Sequence, residues 1–403
     1  MPSLTATIIT IIAVMAVILG LCAYLIYVER KIAAYVQDRI GPNRVGPFGL
    51  LQPIADGLKF LLKEDVIPAH VDKVLYLAAP AIAVTMALLA FAVVPFGPTT
   101  PPPRPLPENA TPEQTAAYER LEAASHEYQW AIAPHVDIGI LFVFAATSLT
   151  VYGIILGGWS SNNKFSFLGA LRSSAQFVSY EIPMGLSVLG VLMLSGSLNL
   201  DRIIQQQSST GWFILYQPLA FLLFMLSAFA ECNRLPFDLP EAEQELVGGY
   251  HTEYSAMKFA LFFLGEYAHV ITTSFLMSIL FFGGWHFPFI AEPGPGGWAV
   301  KFIVIVVKVT LFIIFYMLVR WTLPRFRFDQ LMHLAWKVLI PLALINFVAV
   351  LVVKEMAWSL WWLLPVSALL LIGAPFMAVR FRPPPARRLQ ALRAEDRLVT
   401  AER

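Results

Sequence analysis

Between Ala230 and Tyr267 the chain carries Glu231, Asp238, Glu241, Glu243, Glu245, Glu253 and Glu266 against only two basic side chains, Arg234 and Lys258. This stretch, AECNRLPFDLPEAEQELVGGYHTEYSAMKFALFFLGEY, lies between two strongly apolar runs. A charged group at the centre of a bilayer costs roughly 2.5–3.5 kcal/mol on insertion scales. Acids so close to a membrane therefore need water, counter-charge or a function, and carrying protons is the chemistry that many carboxyls and few cations suit. Asp238-Leu239-Pro240-Glu241 has the form of an N-cap followed by an acid, so a short helix is expected to begin there. On it Glu241 and Glu245 share a face, where like charges repel unless some stay protonated. A solvated helix start at the membrane surface would explain Asp238 and Glu241 equally well. It would not explain Glu266, ten residues into an apolar run with His269 one turn on, nor Glu181, which sits within another such run two residues before Pro183. An intramembrane Glu is a functional candidate by default, the alternative for Glu181 being an ion pair with an Arg of another helix.

The elements that must hold these acids are membrane helices. The chain of 403 residues is 58% hydrophobic and 14% charged, with mean hydropathy +0.66, which places it among all-α polytopic membrane proteins. Nine apolar segments approach the length of a span: 4–28, 74–96, 138–157, 177–194, 212–230, 256–282, 298–319, 338–353 and 357–379. The eighth is short and could extend back through Leu331. With the N-terminus outside and the C-terminus inside, 22 of the 28 Lys and Arg residues fall on the inner side, leaving Arg104, Arg120, Arg202, Lys301, Lys308 and Lys354 outside. The first segment lacks a basic leader and is long enough to remain a span rather than a cleaved signal. The domain reading is one transmembrane unit, 1–379, followed by an Arg-rich inner tail, 380–403.

Three loops add detail. After Gly41-Pro42 and Gly46-Pro47, residues Leu50, Ile54, Leu58, Leu61 and Leu62 share one helical face, with Asp56, Lys59 and Lys63 opposite. At about 14 residues that helix is expected to lie in the interface instead of crossing it. The Pro-rich outer loop, 98–134, should hold a short helix from Pro112 to Tyr128 capped by Thr111 and Gln114, with a packing or spacer role. The loop RWTLPRFRFDQLMHLAWK interleaves Arg320, Arg325 and Arg327 with aromatics, as a membrane-surface anchor, a site for an anionic or dipolar head group, or a contact with an acidic partner would. The cysteines, Cys22 and Cys232, form no CxxC pair, and the seven histidines lack ligand spacing, which argues against a haem, iron–sulfur or zinc site in this chain. The net charge of +1 gives no reason to expect nucleic acid.

Four blocks in order resemble a known family: Glu29-Arg30-Lys31 leading to GLLQPIAD at 49–56, GALRSSAQFVSYE at 169–181, the acidic stretch at 230–267, and PRFRFDQLMHLAWK at 324–337. They are similar to the H subunits of respiratory complex I, the proton-pumping NADH:quinone oxidoreductase, homologous to the first mitochondrially encoded NADH dehydrogenase subunit. The resemblance implies a membrane component without a redox centre that forms the quinone chamber and couples quinone reduction to pumping. It places Arg30, Arg39, Asp56 and Arg325 along the chamber, in loops 29–73, 231–258 and 320–337. It assigns Glu181, Glu231, Asp238, Glu241, Glu243, Glu245, Glu253 and Glu266 to a proton relay. Quinone, ubiquinone or menaquinone, would be the substrate, with FMN and iron–sulfur clusters in partner subunits. Partners would be the quinone-module and iron–sulfur subunits of the hydrophilic arm, small membrane subunits of the A, J and K type, and lipid. The implied location is a bacterial plasma membrane, with the mitochondrial inner membrane as the alternative. The outer loop is longer than usual for that family, and a ninth segment and tail extend past its common eight-helix pattern. The competing readings are a hydrogenase membrane anchor, a stand-alone proton-coupled transporter, and a passive anchor whose acids do nothing.

Overall fold

The computed structural model describes residues 4–100, 129–238, 247–291 and 297–380, with scattered positions between 115 and 123. Among them the chain is helical, with one isolated bridge between Phe287 and Ala291 and no strand. In order the helices are α1 (Leu4–Val36), α2 (Gln52–Leu62), α3 (Lys73–Leu89), α4 (Gly139–Ser160), α5 (Lys164–Ser195), α6 (Leu200–Thr210), α7 (Pro218–Glu231), α8 (Ala256–Phe281), α9 (Trp298–Thr322), α10 (Phe328–Leu334), α11 (Ile340–Glu355) and α12 (Leu363–Arg380). Seven helical stretches are long and apolar enough to cross a membrane, and two shorter apolar helices lie at 218–231 and 360–374. The nine apolar segments expected from the sequence are therefore all helical.

Their bounds differ where local chemistry intervenes. Helix α1 has 33 residues, about 50 Å at 1.5 Å per residue, against a hydrocarbon core of about 30 Å. Its last turns, from Glu29 onward, thus reach past the hydrocarbon core. Helix α5 starts far ahead of its apolar run because the Asn163 side chain caps it by accepting from Phe165 N, and it stops at Gly196 in the left-handed region. The expected fifth segment is broken: Gln217 leaves helical geometry ahead of Pro218, which opens α7. The eighth does extend back, since a π turn over Ala335–Leu339 joins α10 to α11. Helix α6, capped by Asn199 accepting from Asp201 N and Arg202 N, has no counterpart among the expected segments, because its polar sequence hides a buried face of Leu200, Ile203 and Ile204. The expected interfacial helix is α2, and Ile54, Leu58, Leu61 and Leu62 are exposed on it, free to meet lipid. The outer-loop helix, the helix expected after Asp238, with Glu241, Glu243 and Glu245, and the tail from 381 lie outside the described residues.

Helix α5 is the central post, packed against α4, α7 and α11, while α3 lies against α4 and α8. Small residues permit the closest approaches, as membrane helix packing requires. A Cβ on Gly153 would stand 2.9 Å from the Ala79 carbonyl oxygen and from Ala83 N. Gly153→Leu should therefore overpack the α3–α4 contact by about 1–3 kcal/mol and lower the amount of assembled protein in membranes. Gly20→Ala, with nothing within 4 Å of the added carbon, should leave that amount unchanged.

Candidate functional site

An apolar cleft of about 240 Å³ opens between α1, α2 and α8, with Cys22, Ile26, Phe60, Leu264 and Tyr267 in its walls and Asp56 as the one carboxylate among its lining residues. Asp56 is fixed from two sides: Arg30 Nη1 donates to Oδ2 at 2.8 Å and Gln52 Nε2 to Oδ1 at 3.0 Å. The Tyr267 ring walls the cleft while its hydroxyl donates to Glu29 Oε2 at 2.5 Å. Glu29 is 7% exposed and carries two cations, Arg320, which donates to Oε1, and Arg234, 3.6 Å from Oε2. Arg234 also lies over the Tyr267 ring at 4.2 Å. Glu29, Arg234, Tyr267, Tyr316 and Arg320 enclose a further cavity of about 20 Å³, the room one water needs.

From Arg234 the polar groups continue inward. Glu266 has Arg234 and Asp238 as charged neighbours, Asn233 as a hydrogen-bond partner, and the Tyr250 hydroxyl, which donates to Oε1 at 3.3 Å. Asp238 stands 3.8 Å from the Arg325 guanidinium, which also donates to its backbone carbonyl. Glu231 is partnered by the Thr147 hydroxyl with Glu181 as its charged neighbour, and Ser148 on the same helix donates to Glu181. His269 Nε2 is 3.2 Å from Thr150 Oγ1. Cys232 Sγ lies 3.4 Å from Thr273 Oγ1, which meets the Tyr316 hydroxyl at 3.1 Å.

The turn holding these groups is irregular backbone, and side chains of α5 satisfy it. Gln176 Nε2 donates to the carbonyls of Ala230 and Phe237 at 2.7 Å each. Tyr180 donates to the Leu331 carbonyl at 3.0 Å, and Phe326 N to the Pro236 carbonyl at 3.2 Å. The loop after α9 is thereby docked on the acidic turn.

Of the expected proton-relay acids, the structure pairs Glu231 with Glu181 and Glu266 with Asp238. Glu253 is held instead by Asn163 Nδ2, donating at 2.7 Å. Of the expected chamber residues, Arg30 and Asp56 form one pair, Arg325 joins Asp238, and Arg39 is exposed and bonded to Gln37. Of the roles left open for Arg320 in sequence, anchor, head-group site or contact with an acidic partner, the structure shows it paired with the buried Glu29. Sequence reasoning passed over Glu29, Tyr267, Arg234 and Arg320 as a unit. The available signal was a Glu closing the first apolar run. It also missed Thr147, Ser148 and Thr150, a hydroxyl cluster in an otherwise apolar span.

Close to the acidic turn, His251 donates from Nδ1 to the Gly248 carbonyl at 2.6 Å, and burial lowers its pKa from 6.5 to about 4. It is neutral when folded and takes a proton when unfolded, so its contribution is complete above about pH 6.5 and is lost as pH falls through 4. Thermal midpoints in detergent should drop over that window in the native chain and drop less in His251→Gln. A second outcome concerns Glu29. Glu29→Ala strands two guanidinium groups and should destabilise by about 3–5 kcal/mol, whereas Glu29→Gln, still able to accept from Tyr267, should lose less in the same assay.

A family profile described as NADH dehydrogenase matches residues 9–351. An H subunit of the NADH-quinone oxidoreductase of Cytophaga hutchinsonii is 47% identical over 343 residues, covering 84% of this chain and 94% of that protein. An H subunit from Geobacter metallireducens is 49% identical over 330 residues, covering 82% and 91%. The H subunit from Leptospira biflexa is 49% identical over 338 residues, covering 83% and 90%. The chain belongs to this NADH dehydrogenase family, among the H subunits of NADH-quinone oxidoreductase.

Proposed function

We propose that this chain is the membrane component through which its NADH:quinone oxidoreductase couples quinone reduction to proton transfer. The observation that carries the reading is the continuity of polar groups: the apolar cleft ends on Tyr267, whose hydroxyl meets Glu29, whose partner Arg234 neighbours Glu266 and Asp238. An apolar cleft with one fixed carboxylate suits an isoprenoid tail or a quinone ring sliding between α1, α2 and α8. Reduction of a quinone consumes protons, and a change of charge near the Glu29 cluster alters the field at the acids behind it.

This chain's own residues then do three things. Arg30 and Gln52 hold Asp56 at the cleft wall. Arg320 and Arg234 hold Glu29 against Tyr267. Glu266, Asp238, Glu231 and Glu181, with Glu241, Glu243, Glu245 and Glu253 of the same stretch, pass protons on toward neighbouring membrane subunits. Electrons stay elsewhere, since flavin and iron–sulfur clusters belong to partner subunits of the hydrophilic arm. Those partners would dock on the inner loops, and small membrane subunits and lipid on the exposed apolar helices. The bias of basic residues supports an N-terminus outside and a C-terminus inside, in a bacterial plasma membrane.

The test is NADH-driven quinone reduction and proton uptake in vesicles carrying Glu266→Gln, or Glu241→Gln with Glu245→Gln. Both activities should fall together at least tenfold while NADH oxidation by a water-soluble artificial acceptor stays normal. Wild-type rates in every variant would reduce the acids to passive groups.

A further inference from the structure

Helix α8 carries a second titratable group beside Glu266. His269 is three positions on, so the two are neighbours on one face, and it is 3% exposed. Its Nε2 lies 3.2 Å from Thr150 Oγ1 on α4, whereas its Nδ1 is buried without a hydrogen-bond partner among the described residues. A buried imidazole with one nitrogen bonded and the other idle is an incomplete arrangement, because a buried polar atom left unpaired costs about 1–3 kcal/mol. An aliphatic or aromatic side chain would fill the same space without that cost.

What surrounds the ring gives the idle nitrogen a use. Thr150 lies one turn from Thr147, whose hydroxyl is the partner of Glu231, and the next residue, Ser148, donates to Glu181. That turn spans roughly 5–6 Å between side chains, a gap that one bridging water covers. On the other side, the His269 carbonyl accepts from Thr273 Oγ1 at 2.9 Å, and Thr273 contacts Cys232, the residue after Glu231. The imidazole thus stands between Glu266, on its own helix, and the Glu231–Glu181 pair, reached through the hydroxyls of α4. The charged groups in this region are Glu266 on α8, Glu231 on α7, Glu181 on α5 and Arg234 in the turn; α4 contributes hydroxyls there and α9 the Tyr316 phenol.

We propose that His269 is a proton-relay residue that links Glu266 to Glu231 and Glu181 through Thr150 and Thr147. A proton accepted at Nδ1 is matched by one released from Nε2 to the Thr150 hydroxyl. The ring returns to neutrality with its tautomer exchanged, and a ring rotation that swaps the two nitrogens resets it without returning the proton; no electron moves. The inference rests on the proton-transfer reading above and adds the connection between two acids that share no direct contact.

The experiment uses the complete complex in native membrane vesicles, with NADH oxidation by an artificial acceptor as the measure of assembly. His269→Gln keeps a polar partner for Thr150 but cannot carry a proton, and His269→Glu restores a titratable group. Coupled quinone reduction and proton uptake should fall at least tenfold in His269→Gln and recover severalfold in His269→Glu. A purely structural histidine gives the opposite order, with Gln close to wild type and Glu worse, and that result overturns the proposal. Should His269→Gln fail to assemble, Thr150→Val decides: a severalfold loss of the coupled rate with normal assembly supports the route, and a wild-type rate overturns it. Glu266→Gln, run alongside, separates the two levels. If it is impaired while His269→Gln is not, the relay stands without His269; if neither is impaired, the relay reading itself falls.

Discussion

The arrangement around Glu29 is the constraint that one end of the helix bundle obeys. Removing a carboxylate from water costs several kcal/mol even after relaxation, and only fixed counter-charge with good hydrogen bonds returns it. Glu29 meets that demand with groups from three distant parts of the chain: Arg234 after α7, Tyr267 on α8 and Arg320 at the end of α9. None of these could be moved independently. The end of α1, the acidic turn and the end of α9 must therefore arrive at one point, which fixes how these helix ends converge. The same point forms the inner wall of the apolar cleft, because the Tyr267 ring faces one way and its hydroxyl the other.

A second demand follows. Bringing Arg234 and Asp238 to that point requires a stretch of backbone, 232–238, that is not helical, next to apolar surroundings. Irregular backbone at membrane depth survives only where protein satisfies its polar groups. Helix α5 supplies Gln176, which donates to the Phe237 carbonyl, and the segment after α9 supplies Phe326 N and Arg325. Helix α5 thus has two uses, packing as a span and satisfying the backbone of its neighbours, with Gln176 at the acidic turn and Tyr180 at Leu331.

That dual use marks the limit of what the sequence discloses. Hydropathy located every long apolar helix, since the cost of exposing backbone to hydrocarbon makes a span a one-dimensional property. It mistook the start of α5, the break at Gln217 and the existence of α6, because each depends on what lies alongside. Glu266, Glu231 and Glu181 were legible as acids in the wrong solvent. Glu29 was not, because it closes its apolar run next to Arg30 and Lys31, where a charge is ordinary; only its burial distinguishes it. The hydroxyls of α4 were equally silent, as Thr and Ser in membrane helices commonly bond their own backbone, and Thr147 and Ser148 do so with the Phe144 carbonyl as well.

The acids then divide by the kind of partner they have. Glu29, Asp56 and Asp238 face guanidinium groups, which only donate and so suit a carboxylate: Glu29 and Asp56 through hydrogen bonds, Asp238 as an ion pair at 3.8 Å. Glu231 and Glu181 face the hydroxyls of Thr147 and Ser148, which donate or accept and so fit the carboxylate and the acid alike. Glu266 lies between the two kinds, with Arg234 nearby and the Tyr250 hydroxyl bonded. Geometry thus separates acids paired with guanidinium groups near the cleft from acids partnered by hydroxyls. Beyond Glu266, the partners of Glu231 and Glu181 among the described residues are hydroxyls, which can both donate and accept.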